Sequence, residues 1–190
     1  MTNEPIKFED GVAYERMMGV WTQLVGSKFL EWLSPEKGKS WIDVGCGNGA
    51  FTEQIVQRCS PAEVQGIDPS EAQISFATNR EGARLAKFQS GDAMGLPFEN
   101  NCFDVATMAL VIFFVPDPVQ GVSEMKRVVR PGGLVAAYAW DVLGGGVPTQ
   151  AITSVLRSLE IKYPLPPSVE ASRMEALNSL WLDAGIRSVD

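Results

Sequence analysis

The stretch Trp41-Ile42-Asp43-Val44-Gly45-Cys46-Gly47-Asn48-Gly49-Ala50-Phe51 decides the fold. It reads as a short buried strand, a glycine turn and the first turn of a helix. Ile42 and Val44 are β-branched, which suits the middle of a sheet. Gly45, Gly47 and Gly49 stand at alternate positions, where a side chain would hold a ligand off the backbone and where glycine tolerates φ > 0. Phe51, Ile55 and Cys59 share one face of the following helix, whose free N–H groups would aim at whatever occupies the loop. These residues alone imply a nucleotide-like ligand. Gly45-x-Gly47-x-x-Ala50 fits the dinucleotide fingerprint equally well, so this motif does not choose the cofactor.

Working outward, Tyr14, Met18, Trp21, Val25, Phe29 and Trp32 recur at steps of three and four. That spacing predicts an amphipathic helix over 13–33, ended by Ser34-Pro35. Downstream, Val64–Asp68, Ala86–Gly91, Phe103–Leu110 and Leu134–Trp140 read as strands. Ser70 with Gln73 forms a capping box for a helix that carries Ile74 and Ala77 inward. Asp117-Pro118-Val119-Gln120 starts another helix, with Val119, Val122, Met125 and Val129 as its inner stripe. Pro131-Gly132-Gly133 breaks that helix and launches the fifth strand. Ile152, Val155, Leu156 and Leu159 give one more helix face. Ser172 and Glu175 cap a last helix bearing Met174, Leu177 and Trp181, which stops at Gly185. Alternating strands and helices predict an α/β fold, a doubly wound Rossmann-like parallel sheet. The expected organisation is one domain over 1–190, with a helical segment at 1–38 and a helical cap at 141–185.

Composition narrows the function. The 190 residues are 45% apolar and 21% charged, as in ordinary globular domains. The net charge is −7 and neither half is basic, so a nucleic-acid partner is not expected. Cys46, Cys59 and Cys102 are far apart, which indicates neither a zinc site nor a disulfide framework but reduced thiols. The sequence has no histidine, so a Ser-His-Asp triad, a Cys-His pair and a histidine base are excluded. Met-Thr-Asn-Glu-Pro does not begin a signal peptide, and the apolar run Val105–Val115 is too short to span a bilayer. The expected location is the cytoplasm.

In an open parallel sheet the ligand sits at the carboxyl ends of the strands. Asp43, Asp68 and Asp92 fall at or near such ends. Asp68 is placed to accept both hydroxyls of a ribose, and Asp92 to accept from an adenine amino group. Asp68 reads alternatively as a cap before Pro69, Asp92 as a turn residue, and Asp43 as a brace for the loop.

The set Asp43-Val-Gly45-Cys-Gly47-Asn-Gly49, Gly66-Ile-Asp68-Pro-Ser70, Gly91-Asp92-Ala93-Met94-Gly-Leu-Pro97-Phe98, Phe103-Asp104-Val and Arg130-Pro131-Gly132-Gly133 resembles the class I S-adenosylmethionine-dependent methyltransferases. The likeness runs from about Trp41 to Trp140. It is greatest to the small-molecule branch of ubiquinone- and menaquinone-biosynthesis-type enzymes, and Tyr14 to Trp21 looks like that branch's leading helix. The resemblance implies that the backbone from Gly45 through Cys46 and Gly47 to Gly49 faces the methionine part of the cofactor. By the same likeness Asp68 holds the ribose, with Pro69 and Ser70 beside the adenosine. Asp92 then meets the adenine amino group, Ala93 and Met94 pack near the ring, and Ala109 lies at the methionine amino end.

Two departures stand out. Leu110-Val111-Ile112-Phe113-Phe114 follows the fourth strand instead of Asn-Pro-Pro-Tyr, so amino-group methylases of DNA and glutamine are not matched. The histidine common in this branch after that strand is replaced by Phe113-Phe114, so no base is named. The implied reaction is in-line displacement of a sulfonium methyl by a small-molecule acceptor, which needs mainly alignment. The alternatives are a nicotinamide-dependent oxidoreductase and a non-catalytic S-adenosylmethionine binder. The segment 141–167, with Trp140, Phe113 and Phe114, is expected to wall the acceptor pocket.

Such sheets usually carry two more strands. Here the chain stops at Ile186–Val189, where the sixth would begin. The expectation is therefore five strands in order 3-2-1-4-5 with the fifth at an edge. Either the chain is part of a longer protein, or a homo-oligomer covers that edge.

Overall fold

The computed structural model describes residues 11–187 and 189, with side chains from residue 18 onward. The hub stretch supplies β1 (Ser40–Val44), buried along nearly its whole length, and α2 (Ala50–Cys59). Around β1 lie β2 (Glu63–Asp68), β3 (Ala86–Ser90), β4 (Phe103–Ala109) and β5 (Val129–Tyr138). All pairings are parallel and the order is β3-β2-β1-β4-β5. This is the predicted doubly wound topology, with β1 flanked by β2 and β4.

The two-residue period of β1 feeds two cores. Trp41 enters a cluster with Phe29, Phe51, Ile55 and Val64, beneath α1 (Gly11–Leu33) and α2. Ile42 and Val44 enter the other, with Met108, Val122 and Met125, beneath α4 (Pro118–Val128). Asp117 caps α4 by accepting from the Gln120 amide at 3.1 Å, with Pro118 in the first turn, as predicted. In α3 (Glu71–Thr78) the Ser70 hydroxyl accepts from the Gln73 amide, but Gln73 and Ala77 are the buried residues and Ile74 is only half-buried.

The C-terminal third differs from the sequence reading. β5 begins at Val129, directly after α4, and contains Pro131-Gly132-Gly133 instead of starting behind them. A register shift between Phe103 and Val105 absorbs the glycines. Arg130 clamps this bulge through Asp104 at 2.9 Å and the Cys102 carbonyl at 2.8 Å. An edge strand tolerates the missing proline N–H, which a central one would not. Val119 is half-buried, and Val128 holds a core position in the α4 stripe.

On α5 (Gln150–Ser158) no residue is buried, and Ile152 and Val155 are exposed. The predicted Ser172–Glu175 capping box does not form. Ser172 is buried in a 3₁₀ turn, and Arg173 precedes α6 (Met174–Asp183) without a side-chain cap. Met174 is exposed, whereas Trp181 is buried and donates its indole N–H to the Val135 carbonyl of β5 at 3.2 Å. Lys126 closes the other end of α6, donating to the carbonyls of Ala184 and Gly185, both at 2.9 Å. No strand lies beyond β5 among the described residues. No helix among them is long and apolar enough to cross a membrane.

Candidate functional site

The carboxyl ends of the strands surround a cavity of about 430 Å³. Its floor is the turn that leaves β1. Gly45, Gly47 and Gly49 take φ of +75°, +51° and +79°, left-handed values at which L side chains are strained. The amides of Gly45 and Cys46 both donate to the Ile67 carbonyl, at 2.7 and 2.9 Å, tying the turn to β2. A Cβ on Gly45 would collide with the Val111 isopropyl group, so this glycine admits the chain that leaves β4. A Cβ on Gly47 would meet open space.

Three acidic residues line the cavity, and their carboxylates are held differently. Asp68 ends β2, and its oxygens accept from the Gly47 amide at 3.0 Å and the Ser70 amide at 2.9 Å. Burial pushes its pKa up, and the two amides pull against that. The carboxylate therefore braces the turn and the residues that lead into α3, and with about four acceptor sites it keeps capacity for a ligand. Asp43 is fully buried. One oxygen accepts from the Thr52 hydroxyl of α2 at 2.6 Å, and the other, Oδ1, has no hydrogen-bond partner among the described residues. Burial raises its pKa to about 7, the Thr52 bond opposes this, and the Asp68 charge adds to it. Asp92 is exposed and accepts from the Met94 amide at 2.8 Å, which is the turn role. No lysine or arginine among the described residues lines the cavity.

Cys46 also lines it. Burial and then the charges of Asp43 and Asp68 push its thiol pKa well up, the opposite of an activated nucleophile.

Of the sequence-predicted residues, Asp43, Gly45, Cys46 and Gly47 line the cavity from β1 and its turn. Asp68, Pro69 and Ser70 line it from β2, Asp92 and Ala93 from β3, and Ala109 from β4. Met94 does not: its side chain packs on the core, and its carbonyl accepts from the Gln120 side chain at 3.2 Å. The side chain of Tyr14 lies outside the described residues. The expected wall is also different. No residue of 141–167 lines the cavity, and Phe113 is turned into the core. Phe114 lines the cavity as expected, and Leu110, Val111, Val115 and Pro116 line it beside Phe114, on either side of the 3₁₀ turn at 112–114.

Asn48, within the expected Gly45–Gly49 backbone, also lines the cavity, as do Thr22, Phe51 and Gln73, which the sequence reading does not place there. Thr22 is the polar interruption of an apolar helix face, which is a usable signal. Gln73 reads in the sequence only as the capping partner of Ser70, and that spacing gives no sign that it lines the cavity. Leu110 carries a left-handed φ of 63°, for which its residue type gives no hint.

The methyltransferase domain family matches residues 42–137. Demethylmenaquinone methyltransferase of Staphylococcus aureus is 35% identical over 132 residues, covering 68% of this chain and 53% of that protein. The chain thus spans about half the length of the curated relatives it matches. A solved SAM-dependent methyltransferase from Thermotoga maritima is 25% identical, with a TM-score of 0.68 over 91% of this chain and 76% of that one. One from Aquifex aeolicus, 21% identical, superposes with a TM-score of 0.69 over 97% and 92% of the two chains, a likeness of fold. The matched span opens inside β1 and closes inside β5, enclosing the glycine turn and every strand end that forms the cavity; on that span the chain belongs to the methyltransferase domain family.

Proposed function

We propose that this chain binds S-adenosylmethionine and transfers its methyl group to a small-molecule acceptor. The observation that carries this reading is the acidic character of the cavity: Asp43, Asp68 and Asp92 line it, and no lysine or arginine among the described residues does. Such a site favours a ligand bearing a sulfonium and an ammonium, and disfavours the pyrophosphate of a nicotinamide dinucleotide. The glycine turn supports the same reading, because the open space at Gly47 lets a ligand lie against the backbone. Asp68 would hold the ribose, Asp92 the adenine amino group, and the Gly45–Gly47 backbone the methionine part. When bound, the cofactor supplies an already activated methyl group. The protein's task is then to align the acceptor and exclude water, and Leu110, Val111 and Phe114 form an apolar wall for that.

The name of the Staphylococcus aureus relative favours a small-molecule acceptor. A cytoplasmic setting belongs to the same proposal, in keeping with three free thiols. So does a second copy pairing along the β5 edge, which sedimentation at rising concentration would register.

Calorimetric titration with S-adenosylmethionine and, separately, NAD tests the cofactor. Binding of NAD alone would overturn the reading. Single-turnover methyl transfer to a panel of acceptors then separates an enzyme from a binder that never yields product. Gly47→Val is expected to weaken S-adenosylmethionine binding by at least about tenfold, since a branched side chain is strained at this φ and fills the open space. Wild-type affinity in that variant would place the ligand elsewhere.

A further inference from the structure

We propose that Arg80 is a positioning residue for the glycine turn, acting from behind it; the proposal rests on the cofactor reading above. Asn48 lies between two left-handed glycines, at φ +51° and +79°, so its peptide groups have little local preference of their own. Two contacts orient it. The Asn48 side chain accepts from the Ala50 amide at 3.2 Å, at the start of α2. On the other side the Arg80 Nε donates to the Asn48 carbonyl at 3.0 Å.

Arg80 is itself well fixed. Its Nη1 pairs with the Glu53 carboxylate in the first turn of α2 at 2.7 Å, and the pair is mostly shielded, with the two side chains 12% and 23% exposed. The guanidinium stands 5.8 Å from the centre of the Phe76 ring. Gly82 completes the arrangement, because a Cβ there would collide with the Glu53 carboxylate. One planar group thus joins the region behind α3, the N-terminal turn of α2 and the carbonyl in the middle of the turn. A lysine ammonium lacks the rigid planar fork that presents Nε to the carbonyl and Nη1 to the carboxylate in fixed directions.

Arg80 does not line the cavity, whereas Asn48 does. Arg80 therefore acts on a ligand only through the shape it imposes on the turn. Holding that shape in the empty protein removes part of the ordering cost of binding. The consequence is an effect on cofactor affinity and not on the chemical step.

The test compares wild type, Arg80→Ala and Arg80→Lys. In the unliganded protein, hydrogen exchange of the amides over 47–50 is expected to quicken about tenfold in Arg80→Ala, while β1 and α4 keep their protection. The dissociation constant for S-adenosylmethionine should rise about tenfold with kcat at saturation within about twofold, and added guanidinium should restore part of the affinity. Arg80→Lys should fall between the two, and supplies the comparison if Arg80→Ala does not fold. Unchanged exchange over 47–50, or protection lost evenly across the sheet, would overturn the proposal and leave Arg80 a stability residue. Absence of S-adenosylmethionine binding in wild type would instead overturn the cofactor reading, and the exchange measurement would still decide what Arg80 does.

Discussion

Asp68→Ala is expected to weaken S-adenosylmethionine binding by about 2–4 kcal/mol, roughly 30- to 1,000-fold. Two charge-assisted bonds to the ribose account for most of this, less what a replacing water returns. The structure adds a second cause. The same carboxylate accepts from the amides of Gly47 and Ser70, so its removal frees both the turn that faces the cofactor and the start of α3. A purely local reading expects the fold to be indifferent to this substitution. Two amides left without an acceptor imply a stability loss as well, of about 1–2 kcal/mol given partial access to water. Asp68→Asn separates the contributions, because a side-chain carbonyl still serves one amide. It should recover much of the stability and little of the affinity. Asp92→Ala should cost less affinity than Asp68→Ala, since Asp92 is exposed and one ligand bond is at stake. Titration calorimetry on the three variants, with urea unfolding alongside, checks the order. Wild-type affinity in Asp68→Ala would remove the residue from the site.

Topology was legible because the signals for it are short-range and redundant. A β-branched strand, a glycine turn and capped helices recur in alternation, and each acidic strand end could be read from its neighbours. The resemblance covers the same span, together with a leading helix at Tyr14 to Trp21. Legibility failed where tertiary contacts outvote local signals. Pro131-Gly132-Gly133 looks like a break, yet an edge strand with Arg130 bonded to Asp104 carries it as a bulge. Ser172 and Glu175 have capping-box spacing, but burial of Ser172 in a 3₁₀ turn withdraws the cap. Of the wall expected from 141–167 with Trp140, Phe113 and Phe114, only Phe114 lines the cavity. Leu110, Val111, Val115 and Pro116 line it beside Phe114, after a left-handed Leu110, and a residue's φ cannot be read from its type.

Asp43 should give the chain an unusual pH dependence. Its folded pKa is about 7 against an ordinary 3.8, the main cause being complete burial. The native state therefore holds this proton more tightly than the unfolded chain does. The stability contributed by that proton is fully present below about pH 4 and is lost as the pH rises toward 7. Three pK units correspond to about 4 kcal/mol, an upper bound on the swing. Asp43→Asn removes the titration while keeping an acceptor for the Thr52 hydroxyl. Its amide would stand where Oδ1 has no partner among the described residues, at a cost of about 1–3 kcal/mol at every pH. The variant is thus expected to be somewhat less stable than wild type at pH 4 and to overtake it by pH 8. Urea unfolding of both proteins from pH 4 to 8 measures this, and the difference cancels the carboxylates that do not interact with Asp43. Parallel curves would mean that Asp43 does not titrate in this range. A cationic ligand beside Asp43 would favour its ionised form, so S-adenosylmethionine binding near pH 6 should release a proton. Calorimetric heats that vary with the ionisation enthalpy of the buffer would register that release in wild type and not in Asp43→Asn.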